Sequence, residues 1–469
     1  MTTRLVEVSL QDFTEEIFAA IKDGRSASFM RFNDGEAKFV GTSEFYPSSQ
    51  IVQIIRRQFG DNGLTDLDIE SLKAKASHAV RGATVVGLPP SDWPQEFSFA
   101  RNVVTRLIQD QPLRTTHVDF HQHLFASQFF QRLFALGHPV SLVTCRDVSA
   151  FLTETYNANI SRVYLVPEQA DGSVSGQIKP HYPIYCDWLT RVLETSSSNR
   201  LFLVGAGICG KIYCDAIQRA GGIAVDVGSI FDLWAGRFSR PYMDPEGIRR
   251  YYFQKLSRLD LTPLVIRACA ELHTVDRDFE AGLRVLALGQ QKFPHMAEFY
   301  LRYIRVSLQS GQHAPASELA GKIRDGLTAP ELLLLGRMFK VHQLADESVD
   351  QFSAAFERDP FFTPVLTELC GDMVGKRRKS AVDDAILSAA EAAIVTGTHA
   401  LLFQLARVHG ARGDFTNAVK FCGKAIEQFS LDDHYFSHQV GWLRELGRQA
   451  EADRFAAQRD RFLPEPAVK

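Results

Sequence analysis

Residues 201–217 read LFLVGAGICGKIYCDAI, an apolar run followed by glycines at 205, 207 and 210 and then by apolar residues at helical spacing. The stretch predicts a strand turning sharply into a helix, because glycine takes tight-turn backbone angles without steric cost. Its spacing is GxGxxG, in which Gly205, Gly207 and Gly210 let backbone amides approach a pyrophosphate at the positive helix start. Lys211 stands where it can add a point charge on phosphate. Taken alone, the fingerprint predicts a dinucleotide or S-adenosylmethionine site, with Asp226, nineteen residues beyond Gly207, as the acid for a ribose. Such a fingerprint belongs in the first βα unit, however, and here it falls among the last strands.

Outward from this turn, residues 1 to about 255 alternate short β-branched or aromatic runs with helical patterns, the rhythm of an α/β domain with a largely parallel sheet. The strand candidates are SASFMRF, ATVVGLP, SLVTCR, RVYLVP, RLFLVGAG and GIAVDVG. An opening helix is predicted from Leu10, Phe13, Ile17 and Ile21 on one face, with Ser9 and Asp12 as a capping box and Gly24 as the stop. The stretch PEQADGSVSGQIKP, residues 167–180, has the composition of a long loop, and such a loop over a pocket is often a lid.

From about Leu261 strand signals cease and a repeat of about 34 residues sets in. Leu405, Ala406, Gly413, Phe415, Ala418 and Ala425 mark the clearest copy. Leu335, Gly336, Phe339, Phe352, Ala355 and Pro360 stand at corresponding offsets, and a third copy ends with Phe279 and Pro294. These copies resemble tetratricopeptide repeats, and about five or six helical pairs are predicted over residues 261–460. A stack of such pairs offers a concave surface suited to peptides or proteins, or packs on a neighbouring domain or a second copy.

Composition narrows the classes. The chain has 469 residues, 45% hydrophobic and 23% charged, which is globular and excludes disorder. A net charge of -3 excludes a dedicated nucleic-acid binder. With no apolar run near eighteen residues and no signal-peptide pattern, a soluble, cytoplasmic protein without a transmembrane segment is expected. The seven cysteines form neither CxxC pairs nor ligand spacings, so reduced, buried thiols are expected.

Three further strings carry chemistry. In FMRFNDGEAKF, residues 29–39, a strand runs into Asp34 and Glu36, two carboxylates on a strand-end turn that suit Mg2+ or Mn2+ carrying a diphosphate. In GGIAVDVGSIFDLWAG, residues 221–236, the strand-end Asp226 suits a ribose or sugar hydroxyl, and Ser229 suits a cap or a phosphate. In PHYP, His181 and Tyr182 suit contacts to a base or sugar.

The order RFNDGE, HYP, VGAGICGK, GGIAVDVGSIFDLWAG resembles the bacterial glycosyltransferases of the GT-D fold over about residues 25–240. Their first motif usually reads RxGDGE. Arg31, Asp34 and Glu36 match it, and Asn33 replaces a glycine. The resemblance implies a Rossmann-like domain over 1–255 that binds a nucleotide sugar, a UDP-sugar in the leading form, with Asp34 and Glu36 holding Mn2+ or Mg2+. Arg31, Gly205, Gly207, Gly210, Lys211, Asp226, Ser229, His181 and Tyr182 are the expected donor contacts.

Asp34, Glu36 and Asp232 are the expected catalytic acids, with Asp119, His121 and Glu168 as further base candidates. The expected function is transfer of a sugar to a protein or surface-polysaccharide acceptor, the helical repeats docking the acceptor, a protein partner or a second copy. The alternatives are a Rossmann-type methyltransferase or NAD enzyme, and a non-catalytic repeat scaffold.

Overall fold

The computed structural model describes residues 5–41, 48–59, 64–93, 95–108, 111–168, 181–237, 246–374, 381–395 and 397–462. The loop expected at 167–180 lies outside them from residue 169 onward. The described residues of Met1–Tyr46, Asp68–Gln169 and Pro180–Leu272 form one compact unit, and those of Pro47–Leu67 and His273–Lys469 the other.

The first unit is built on a sheet of eight strands among the described residues: β1 (Leu5–Glu7), β2 (Ala27–Arg31), β3 (Val85–Leu88), β4 (Leu113–His117), β5 (Val140–Thr144), β6 (Ile160–Leu165), β7 (Leu201–Gly205) and β8 (Ile223–Asp226). Their order is β1-β4-β3-β2-β8-β7-β5-β6, and the pairs run parallel throughout. Helical crossovers cover a parallel sheet on both faces, which is why β3, β5 and β8 are buried at every position. Chain direction also fixes where a ligand goes. From β5 the chain moves outward to β6, whereas from β7 it moves inward to β8, so a crevice opens at the carboxyl ends of β5 and β7.

The opening helix, Leu10–Asp23, forms as its sequence dictates: Ser9 Oγ accepts the Asp12 N–H at 3.1 Å, and Gly24 ends the helix at φ 62°. It buries Phe13 against Phe29 of β2 and Phe120, with ring centroids 5.5 and 4.5 Å apart. After β8, helix Pro263–Val275 closes the same core, where Cys269 Sγ donates to Tyr252 O at 3.4 Å.

The second unit is an all-helical array resembling a tetratricopeptide-like solenoid, with helices stacked as successive neighbours from Phe279–Lys292 to Gln449–Phe462. The repeat residues act at the crossings. A Cβ on Gly336 would lie 2.4 Å from the Phe352 ring, so only glycine admits the partner helix there. Ala355, Ala418 and Ala425 are fully buried for the same reason, and Gly413 turns the chain at φ 79°. Helix Ser48–Phe59 belongs to this unit: Arg56 Nη2 meets Asp432 Oδ2 at 2.9 Å, and the Ser430 N–H donates to Asp66 Oδ2 at 2.8 Å. No helix among the described residues is long and apolar enough to cross a membrane.

In each unit one histidine is held well below its ordinary pKa. Burial lowers His181 to about 4, and burial, aided by the charge of Arg56, lowers His399 to about 4. A folded value below the unfolded 6.5 means that the unfolded chain takes up the proton first, so stability is complete above pH 6.5 and is lost as pH falls toward 4. The expected loss is on the order of 2 kcal/mol per histidine. Denaturant titrations between pH 7 and 4.5 should show His399→Gln with a shallower decline than the wild type. Parallel declines would mean that His399 does not titrate on unfolding.

Candidate functional site

At the carboxyl ends of β2 and β8 lies a quartet of charges, with Lys211 and Asp226 buried and Arg31 and Glu36 half-buried. The Arg31 N–H donates to Asp226 Oδ2 at 3.3 Å, and Arg31 Nε lies 3.6 Å from Asp226 Oδ1. Lys211 Nζ lies 2.6 Å from Asp226 Oδ2 and 3.1 Å from Glu36 Oε1. The second Glu36 oxygen accepts the Asn33 N–H at 3.2 Å, closing the capping box of helix Asp34–Val40. Two cations thus face two carboxylates, and the set is neutral. Burial alone raises Glu36 and Asp226, but the charges of Lys211 and Arg31 outweigh it and hold both carboxyls below their ordinary values. Burial disfavours charge on Lys211, yet Asp226 and Glu36 together raise it. Lys211, 1% exposed, is the counter-ion of both carboxylates, and Asp226, 2% exposed, has both oxygens engaged.

The glycines carve this corner. Gly228 stands at φ 48°, and a Cβ there would fall 1.9 Å from Arg31 Nη2, so its bare backbone is the slot for the guanidinium. Gly205 lets β7 approach its neighbour, since a Cβ would fall 2.5 Å from the Phe231 ring and 2.8 Å from Gly228 O. Gly207 begins helix Gly207–Arg219 at φ 55°, whereas a Cβ on Gly210 would meet Val204 at an ordinary 3.4 Å. The turn at residues 205–207 is half-exposed and the helix behind it is buried from Ile208, at the strand ends where a diphosphate is bound in such sheets.

A second cluster spans the ends of β5 and β6. Arg146 pairs with Glu168 and, through Nε at 3.3 Å, with Asp232, and Arg237 also pairs with Glu168. Burial raises Glu168, but Arg146 and Arg237 bring it below the ordinary carboxylate value. Sequence reasoning missed Arg146 and Arg237. The signal for Arg146 was its place at the end of SLVTCR, and none marks Arg237.

The remaining candidates scatter. His181 Nε2 lies 2.8 Å from Tyr213 Oη, and Tyr182, 1% exposed, donates to Ser71 Oγ at 2.9 Å, so both pack into the fold. Ser229 occupies the N-cap position of helix Ile230–Trp234 without a side-chain cap. His121, fully buried, lies with its ring nitrogens 3.2 and 3.3 Å from Arg31 Nη1. Asp119 precedes helix Phe120–Ala126 just past β4, and its partly exposed carboxylate has no hydrogen bond or ion pair with the described residues.

Asp34 and Glu36, the two carboxylates expected to hold a divalent ion, each have a cationic partner among the described residues. Glu36 is committed to Lys211 and Asn33, and Asp34 pairs with Lys38 at 3.1 Å. Among the described residues no three His, Cys, Asp or Glu side chains gather to hold a metal.

A crystal structure of the APC/C hetero-tetramer Cut9-Hcn1 aligns at 16% identity and a TM-score of 0.26, over 52% of this chain and 46% of that one. No curated protein matches the chain. Residues 8–234, which run from just after β1 to the end of helix Ile230–Trp234, match the family model of the GT-D fold-like domain.

Proposed function

We propose that this protein is a glycosyltransferase that moves a sugar from a nucleotide-sugar donor, a UDP-sugar in the leading form, to a hydroxyl of a protein or surface-polysaccharide acceptor. The observation that carries the proposal is the glycine turn opening at the carboxyl edge of the sheet beside Arg31, within the segment that matches the GT-D-like family. Transfer releases a nucleoside diphosphate, so the site must stabilise charge developing on the leaving oxygen. The amides at the start of helix Gly207–Arg219 supply fixed dipoles for that charge, and Arg31, held by Asp226 and His121, supplies a fixed cation. The engagement of both Asp226 oxygens weighs against an NAD enzyme or a methyltransferase, each of which needs an open acid for the ribose.

An inverting transfer also needs a base for the acceptor hydroxyl. Glu168 and Asp232 are both engaged with Arg146, whereas the Asp119 carboxylate has no hydrogen bond or ion pair with the described residues and is open to an acceptor hydroxyl. Asp119→Asn should therefore lower sugar-nucleotide turnover about a hundredfold, with nucleoside diphosphate affinity unchanged. Turnover followed by nucleoside diphosphate release measures this, and a fully active Asp119→Asn would hand the role to Asp232. The helical array is proposed to dock the acceptor or a protein partner, its stacked pairs giving the extended surface that such docking needs.

A further inference from the structure

At the amino edge of the sheet, opposite the glycine turn, an open cleft of about 730 Å3 is lined by the start of β7 and β8, by β6, and by the end of the opening helix. Lys22, His138, Arg162 and Arg200 line it, with Asn199 and a single acid, Asp23. Lys22, Arg162 and Arg200 against Asp23 leave two positive charges in surplus on a chain of net charge -3. The surplus has no internal use. Lys22, His138 and Arg200 side chains make no hydrogen bond or ion pair with the described residues, and Arg162 only lies over Tyr164, its Nη1 3.5 Å from the hydroxyl.

Neighbouring cations of the same unit behave otherwise. Arg25 and Arg114 pair with Glu16, Arg132 with Glu15, and Arg219 with Asp215 and Glu194. Helix carboxyl ends attract cations, which accounts for Lys22 in the last turn of its helix. It does not account for Arg162, on β6, or Arg200, directly before β7. Unpaired guanidinium groups converging with an ammonium group on one concavity match a compact anion of two or more charges, which arginine holds bidentately.

We propose that this cleft binds a phosphate-bearing ligand, at a site separate from the nucleotide-sugar site. Its volume takes a small phosphorylated compound or the headgroup of a phospholipid, and both present the same chemistry. The test uses the full chain and inorganic pyrophosphate. Hydrogen exchange should slow at residues 22–24 and 199–201 on pyrophosphate addition, and the affinity should fall at least about tenfold in Arg162→Glu/Arg200→Glu. Both side chains are exposed, so the double variant should fold as the wild type does.

Co-sedimentation with phosphatidylcholine–phosphatidic acid vesicles separates the sources. Vesicle binding lost in the double variant assigns a lipid headgroup, and pyrophosphate binding without vesicle binding assigns a soluble phosphate compound. Protection confined to the glycine turn, equal affinity in the double variant, or binding in neither arm would overturn the proposal.

Discussion

Lys211→Met should destabilise the α/β unit by about 3 to 5 kcal/mol, the cost of stranding a buried charge once its partner is removed. The wild-type quartet balances Arg31 and Lys211 against Glu36 and Asp226. Without the ammonium group, the buried Asp226 and the half-buried Glu36 share one guanidinium, and one of them must take up a proton or draw in water. Charge balance therefore predicts the rescue: Lys211→Met/Asp226→Asn restores neutrality and should recover much of the loss. Thermal and denaturant unfolding of the four proteins of this cycle measure the coupling directly. A Lys211→Met protein of wild-type stability but weak nucleotide binding would instead return Lys211 to the phosphate-contact role expected from the sequence.

Shortening has the second large effect. A chain ending at residue 255 should be insoluble. It loses helix Pro263–Val275, whose Ile266, Cys269 and Leu272 are fully buried in the first unit. It also keeps helix Ser48–Phe59 while deleting the array with which that helix is packed, including Asp432 and Ser430. Ile51, Val52, Ile55 and Phe59 would then face water, at roughly 2 kcal/mol for each side chain. Extension to residue 275 restores the first loss but not the second, so that chain should still aggregate. A monomeric, cooperatively melting chain of residues 1–255 would show that the inserted helix finds other cover.

The sheet was legible where its strands carry apolar runs. The six strands read from the sequence correspond to β2, β3, β5, β6, β7 and β8. The two that escaped lack that signal: β4 reads LRTTH and buries Thr115 and Thr116 in place of apolar side chains, and β1 is a three-residue edge strand with half-exposed positions. Capping chemistry was equally readable, because Ser9, Asp12 and Gly24 act within one helix.

The site was legible as a list of residues and illegible as a set of partnerships. Glu36, Lys211 and Asp226 were all singled out, yet their mutual neutralisation joins positions far apart in sequence through a sheet order that composition does not reveal. Helix Ser48–Phe59 shows the same limit. Its amphipathic pattern announces a buried face, but the long-range contacts of Arg56 and Asp66 are what assign it to the array.

Nucleotide-sugar chemistry at the glycine turn is the central claim, and calorimetric titration of the full-length protein with UDP, S-adenosylmethionine and NAD tests it most directly. Titrations are run with Mn2+ and with a chelator, on the wild type and on Gly207→Val, whose side chain is strained at φ 55° and blocks the approach to the helix amides. UDP is expected to bind the wild type with and without Mn2+, Gly207→Val to lose this binding, and the other two ligands not to bind. Binding of S-adenosylmethionine or NAD with the same sensitivity to Gly207→Val, and no binding of UDP, would contradict it.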